Sequence, residues 1–112
     1  GLMPKLVRVN IDRLEEYYEG LSQFVQELKA TIPVKEIWLH GSFATGEVHE
    51  GSDIDLIIVG DFQERFHERI GRILALTDLP IEPLVYTREE FEAMKQEGNP
   101  LIKEALITGK AL

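Results

Sequence analysis

Cysteine is absent from this sequence of 112 residues. Without a thiol, the chain has no disulfide framework, no thiolate zinc site and no cysteine nucleophile, so oxygen or imidazole ligands must hold any metal ion. Long apolar runs are absent too, and none approaches the roughly 20 residues that a membrane-spanning helix needs. No signal peptide precedes Met3, which we interpret as the natural start after Gly1 and Leu2. We therefore expect a cytoplasmic protein without a membrane partner.

Basic residues are few, with 12 Lys and Arg against 20 Asp and Glu and a net charge of -8. A field of this sign repels phosphate backbones, so direct nucleic-acid binding is not expected. The hydrophobic share of 44% and the charged share of 29% are typical of a globular domain. This length corresponds to a single domain over residues 1–112. Its core is modest, so an oligomer or a partner that covers a sheet edge is compatible with it.

The hydrophobic pattern predicts one small sheet with helices packed on it. Apolar residues spaced by three and four indicate helices, and β-branched or continuous apolar runs indicate strands. The predicted elements, in chain order, are a helix from Asn10 as N-cap to Pro33, a strand at 34–40, a loop or a loop with one helical turn at 41–52, a strand at 53–59, a helix with Asp61 as N-cap that ends before Asp78 and Pro80, a strand at 81–86, a helix from Thr87 to about Gln96 and a helix at 101–108. This order predicts an α/β (α+β) fold with three or four strands.

Two aspartates open the second predicted strand. Asp53 and Asp55 are two residues apart, so in a strand they point to the same face, about 7 Å apart. Their like charges repel, and a hard divalent cation relieves that repulsion most simply. Oxygen ligands without cysteine indicate Mg²⁺ or Mn²⁺ over Zn²⁺. The alternative is a strand start with two solvated acids.

A glycine and a serine directly follow the first predicted strand. Gly41 lets backbone N–H groups approach an anion closely, and the Ser42 hydroxyl adds a donor, so this end of the loop can cradle phosphate. Cations beside a polyphosphate-binding loop are typical of enzymes that transfer phosphoryl or nucleotidyl groups. Glu82 is the candidate third carboxylate, as metal ligand or general base, if its strand lies beside the second. Otherwise, Glu82 next to Pro83 is an edge-strand charge that deters aggregation.

These residues form a two-part motif, Gly41-Ser42 with Gly46, followed by Ser52-Asp53-Ile54-Asp55-Leu56. The motif resembles the minimal nucleotidyltransferase (MNT) branch of the polymerase-beta-like nucleotidyltransferase superfamily, and the resemblance extends from the first strand to residues 97–102. It implies a mixed-sheet fold, two Mg²⁺ or Mn²⁺ ions, and transfer of a nucleoside monophosphate, AMP if the substrate is ATP, to a hydroxyl. By position, the nucleotide would be bound by Gly41, Ser42 and Ser52, and the metal ions and catalysis would depend on Asp53, Asp55 and Glu82.

The resemblance also implies a partner. Minimal members of the superfamily are commonly paired, as antitoxins, with a separate helical HEPN protein that is the toxin, and some attach adenylate to a tyrosine of that protein. The chain has no room for a second, acceptor-binding domain, which is consistent with an acceptor on another protein.

The sequence departs from the family pattern at two positions. Glu82 stands where aspartate is most common, and Thr45 stands where many relatives have arginine. The longer carboxylate alters metal geometry, and the missing charge weakens a polyphosphate contact. A second hypothesis is therefore a catalytically weak or inactive antitoxin that neutralises a helical toxin by complex formation, and a third is a small-molecule or RNA nucleotidyltransferase. His40 is interpreted as a packing residue.

Overall fold

The computed structural model describes residues 11–112. The helices are α1 (Leu14–Thr31), which follows a 3-10 turn at Ile11–Arg13, α2 (Ser42–Thr45), α3 (Phe66–Leu74), α4 (Arg88–Gln96) and α5 (Pro100–Thr108). The strands are β1 (Val34–His40), β2 (Ile54–Gly60), β3 (Ile81–Thr87) and β4 (Lys110–Ala111). The predicted fold class is confirmed. The predicted N-cap Asn10 lies outside the described residues. Within residues 11–112, no helix is both long enough and apolar enough to cross a membrane.

The four strands form one mixed sheet in the order β3-β2-β1-β4. β1 runs antiparallel to both β2 and β4, whereas β2 and β3 are parallel. The third strand of the sequence therefore lies beside the second, which is the condition for Glu82 to approach the two aspartates. β3 is the outer strand on its side, so Pro83, which has no N–H to donate, occupies the edge position that its chemistry favours.

Helices cover both faces of the sheet, and this explains the continuous apolar run of β2. On one face, α1, α2 and α3 contribute the buried side chains of Leu21, Phe24, Leu28, Phe43 and Ile73, which pack with Leu56 and Ile58 of β2. On the other face, α4 and α5 contribute Phe91, Ile102 and Ala105, which pack against Ile57 and Val59. Side chains alternate between faces along a strand, so each half of the run has its own core.

The start of α4 was predicted correctly from its capping box, whereas the cap of α5 was not predicted. The hydroxyl of Thr87 accepts a hydrogen bond from the Glu90 amide at 3.2 Å, and the Glu90 carboxylate accepts one from the Thr87 amide at 2.8 Å, which completes a capping box at the start of α4. The Asn99 side chain accepts hydrogen bonds from the amides of Leu101 and Ile102 and so caps α5. These caps fix where the two helices on the second face begin.

The predicted start of α3 was wrong. The helix begins at Phe66, and Asp61 does not cap it. Instead, the Asp61 amide donates to the Pro33 carbonyl at 3.0 Å, and the following Phe62 is buried in the core. The residues between β2 and α3 thus place the Phe62 side chain in the core and do not begin the helix. The pattern also missed β4, because two residues are too short to show a strand period.

Candidate active site

Three strands bring polar side chains side by side at one end of the sheet. His40 at the end of β1 pairs with Asp55 of β2, and Asp55 pairs with Glu82 of β3. Residues directly opposite each other point to the same face, here the face that α4 and α5 cover. Asp53 lies two residues before Asp55, just ahead of β2, and therefore projects to the same side. The structure thus brings the three predicted carboxylates together.

Burial and the proximity of these carboxylates raise the pKa values of two of them. Burial raises the pKa of Asp55, and the charge of Asp53 raises it further. The pKa of Glu82 is also raised, first by burial, then by a hydrogen bond with the Asp53 side chain and by the charges of Asp53 and Asp55, while His40 acts in the opposite direction. Negative charge is therefore concentrated at this end of the sheet at an energetic cost.

Divalent cations fit this site by the chemistry of the donors. Asp53, Asp55 and Glu82 offer carboxylate oxygens, the ligands that Mg²⁺ and Mn²⁺ prefer, and their mutual repulsion is the kind that a cation relieves. As the side chains stand, no three His, Asp or Glu residues in the range 11–112 already surround a common point at ligand distances. Binding would therefore require rotation of side chains, and Asp53 and Glu82 are exposed and free of the core.

The loop after β1 is held by α2. Gly41 has φ 68°, and its carbonyl accepts hydrogen bonds from the amides of Ala44 and Thr45 at 3.0 and 3.1 Å. Phe43 is buried, and its carbonyl accepts a hydrogen bond of 2.7 Å from the hydroxyl of Tyr18 on α1. The predicted phosphate cradle is thus packed against the core on one side, while Gly41 and Ser42 stay partly exposed.

Glycine is required at position 41 because a β-carbon there would overlap the Oδ2 atom of Asp55. We expect Gly41→Ala to displace the Asp55 carboxylate and to lower the rate of nucleotidyl transfer by about 10-fold or more. The rate should fall whether the displacement impairs metal binding or nucleotide binding. The rate of label transfer from a nucleoside triphosphate measures this.

Gly46 provides the matched control for that substitution. It also has a positive φ of 87°, but a β-carbon there would meet nothing within 4 Å. Gly46→Ala should therefore incur a similar backbone strain of about 1–2 kcal/mol and keep its activity. If both variants lost activity equally, the contact between Gly41 and Asp55 would not be the cause.

Ser52, predicted to bind nucleotide, is buried in the turn that precedes β2. Its Oγ accepts a hydrogen bond from the His49 amide at 2.9 Å, and its own amide donates to the His49 carbonyl at 2.9 Å. These bonds orient the turn that delivers Asp53 to the site. Contact between Ser52 and a triphosphate stays a prediction.

The sequence did not predict a place in the site for two residues at this end of the sheet, His40 and Glu104. His40 was interpreted as a packing residue, yet its Nε2 atom is buried without a hydrogen-bond partner among the described residues. Burial lowers the pKa of His40, against the opposing charges of Glu104 and Glu82. Glu104 lies on α5, and only the packing of that helix beside β1 brings it near. The sequence feature that could have indicated a role for His40 is its position directly before Gly41-Ser42.

Comparison with known proteins decides the family. Residues 21–110 match the family described as Nucleotidyltransferase domain. The chain belongs to this family. This nucleotidyltransferase is 31% identical over 93 residues to a Methanocaldococcus jannaschii protein provisionally named a protein adenylyltransferase, and the match covers 83% of this chain and 90% of that protein. A second protein of the same organism, with the same provisional name, is 44% identical over 45 residues, or 38% of this chain and 45% of that protein.

A solved structure confirms the fold. The crystal structure of a Sulfolobus solfataricus protein, provisionally described as a nucleotidyltransferase, superposes with a TM-score of 0.60 at 19% identity and covers 74% of this chain and 78% of that one. The family match and the 31% identical relative support the resemblance to the polymerase-beta-like superfamily, and nucleotidyl transfer is the general activity of the protein.

Proposed function

We propose that this nucleotidyltransferase moves AMP from ATP to a hydroxyl group on a partner protein and depends on two Mg²⁺ or Mn²⁺ ions. The observation that carries this proposal is the alignment of Asp55 with Glu82 across parallel strands, with Asp53 beside them and Gly41 in contact range of Asp55. A polyphosphate cradle and three oxygen donors then share one end of the sheet.

Each residue has a distinct part in the proposed reaction. Asp53 and Asp55 would hold the cations, which would supply charge neutralisation to the triphosphate and polarise its α-phosphate. The backbone of Gly41 and the hydroxyl of Ser42 donate hydrogen bonds to triphosphate oxygens. The acceptor oxygen attacks the α-phosphorus, the bond to the β-phosphate bridge breaks, and pyrophosphate leaves. Glu82 supplies a third metal ligand or takes the hydroxyl proton, a task that its raised pKa favours.

The names of two relatives support a protein as the acceptor. Both curated relatives carry a name that specifies a protein as the acceptor of adenylate. We propose the same for this chain, with a helical HEPN-type protein as partner and acceptor and a toxin-antitoxin pair as the biological setting. The motif resemblance supports the partner.

Two positions of the label in ATP test the reaction directly. With Mg²⁺ and a helical HEPN-type protein as candidate acceptor, α-labelled ATP should label that protein, whereas γ-labelled ATP should not, because pyrophosphate leaves. Label from the γ position would indicate phosphoryl transfer instead. Absence of protein label with all four triphosphates, together with labelled small molecules or RNA, would move the acceptor to another class.

A second candidate function is neutralisation of the toxin by complex formation alone. Glu82 in place of the usual aspartate favours it, as does the absence of a ready-made three-ligand cluster within residues 11–112. In that case, an Asp53→Asn/Asp55→Asn variant expressed at the same level would still protect cells from the toxin. The enzyme proposal expects protection to be lost.

A further inference from the structure

A small cavity adjoins the proposed phosphate cradle on the side away from Glu82. It lies between the end of β1 and α5, has a volume of about 160 Å³, and is lined by His40, Gly41, Thr45, Glu104 and Thr108, among others. Ligand pockets typically have volumes of about 300–1,000 Å³, so this cavity can hold one end of a ligand. Gly41 belongs to both the cavity and the cradle, and a single ligand can therefore reach from one to the other.

The polar atoms around the cavity are mainly hydrogen-bond acceptors. The Thr108 hydroxyl donates to the Glu104 carbonyl at 2.9 Å, and the Thr45 hydroxyl is directed to the Ser42 carbonyl at 3.4 Å, so both oxygens present lone pairs to a ligand. The Glu104 carboxylate only accepts. His40 also lines the cavity, and its buried Nε2 atom has no hydrogen-bond partner in the described chain. Neither lysine nor arginine lines the cavity, so it suits a group that presents N–H and disfavours phosphate.

The position of the cavity assigns it to the nucleotide rather than to the acceptor. Neighbouring strands lie about 4.8 Å apart, so His40 stands about 10 Å from Glu82, at the opposite end of the row. The attacking hydroxyl belongs beside the carboxylates, at the Glu82 end. The group that enters the cavity beyond Gly41 is therefore part of the nucleotide, and its base is the part that carries N–H donors.

We propose that this cavity binds the 6-amino group of adenine, with the Glu104 carboxylate as its main acceptor, and thereby selects ATP. The inference rests on the proposed function, in which the cradle holds a nucleoside triphosphate. It makes Glu104 a specificity residue that contacts the substrate and has no part in the chemical step. Because Glu104 is exposed and lies on the surface of α5, its replacement leaves the core intact.

The test compares ATP with purine riboside triphosphate, which differs from ATP only by the missing 6-amino group. Dissociation constants are measured by calorimetry with Mg²⁺ for wild type, for Glu104→Ala, and for Glu97→Ala as a matched loss of one exposed glutamate. Wild type and Glu97→Ala should prefer ATP by about 10- to 100-fold, the range expected for a hydrogen bond to a charged group. In Glu104→Ala the preference should fall below about 3-fold, with the affinity for purine riboside triphosphate unchanged.

The other outcomes separate this inference from the function it rests on. Equal affinity of wild type for the two triphosphates would overturn the inference and leave nucleotidyl transfer intact. An equal loss of affinity for both in Glu104→Ala would assign Glu104 to phosphate or cation binding and would also overturn it. If wild type bound neither triphosphate, the proposed function itself would fail.

Discussion

Replacement of both Asp53 and Asp55 by asparagine should abolish nucleotidyl transfer and leave the fold at least as stable as wild type. The loss of activity follows because amide groups would no longer hold the cations, whose electrostatic contribution is several kcal/mol, equivalent to about 1,000-fold or more in rate. The gain or constancy in stability follows because burial and the charge of Asp53 raise the pKa of Asp55 in the folded state.

The raised pKa of Asp55 sets the direction in which its charge affects stability. An acid whose pKa is higher in the folded state binds its proton more tightly there, so stability falls as pH rises from the unfolded pKa through the folded one. At neutral pH, the charged form of Asp55 therefore lowers the free energy of unfolding by its full amount. Asparagine removes the charge, so the melting temperature at pH 7 should stay constant or rise.

Label transfer and thermal unfolding of the same preparations measure the two effects. Asp78→Asn, which changes an exposed aspartate outside the site, is the control and should match wild type in activity. A double variant that retained activity would contradict the assignment of the cations to these two residues. A marked fall in its melting temperature would show instead that the two carboxylates stabilise the fold, contrary to the repulsion inferred from the pKa of Asp55.

The part of the site that lies on β2 could be predicted from the sequence because it depends on local geometry. Alternation along a strand puts Asp53 and Asp55 on one face, whatever the rest of the fold does. The place of Glu82 depended on one further condition, that β3 pairs with β2, and the parallel register confirms it. The motif resemblance supplied the family, which hydrophobic periodicity alone does not distinguish.

His40 and Glu104 show why the rest could not be predicted. No spacing relates a residue at the end of β1 to one on α5, because their proximity arises only when that helix packs across the sheet. The same holds for the start of α3: burial of Phe62 and a hydrogen bond to Pro33 override the capping preference of Asp61. Contacts between distant segments, rather than local propensity, decided each of these positions.

A buried arginine links α3, β3 and α4, and its loss should destabilise the protein. Arg69 on α3 is 7% exposed. Its guanidinium donates to the Glu64 carbonyl at 2.8 Å, to the Val85 carbonyl of β3 at 3.2 Å, and to the Glu90 carboxylate at the start of α4 at 2.7 Å. We expect Arg69→Ala to lower the free energy of unfolding by about 2–3 kcal/mol, because the buried Val85 carbonyl and the partly buried Glu64 carbonyl lose a charged donor.

Arg72, one turn further along α3, provides the control. It pairs with Glu64 at 2.7 Å, but its side chain is 46% exposed. Exposed ion pairs contribute about 0–1 kcal/mol, so Arg72→Ala should cost far less than Arg69→Ala in urea unfolding. Similar losses for the two variants would mean that burial does not distinguish these arginines.

Acidification should narrow the difference between wild type and Arg69→Ala. Burial alone would raise the pKa of Glu90, but hydrogen bonds from Thr87 and Arg69 outweigh it and hold that pKa below its ordinary value of 4.5. The contribution of the charged pair is therefore complete above pH 4.5 and is lost as pH falls through the lowered pKa. Unfolding measured from pH 7 down to about pH 3 should show the gap shrink but not close, because the two carbonyl contacts of Arg69 do not titrate. A gap independent of pH would mean that the ion pair with Glu90 contributes nothing, and that packing and the carbonyl contacts alone account for the loss.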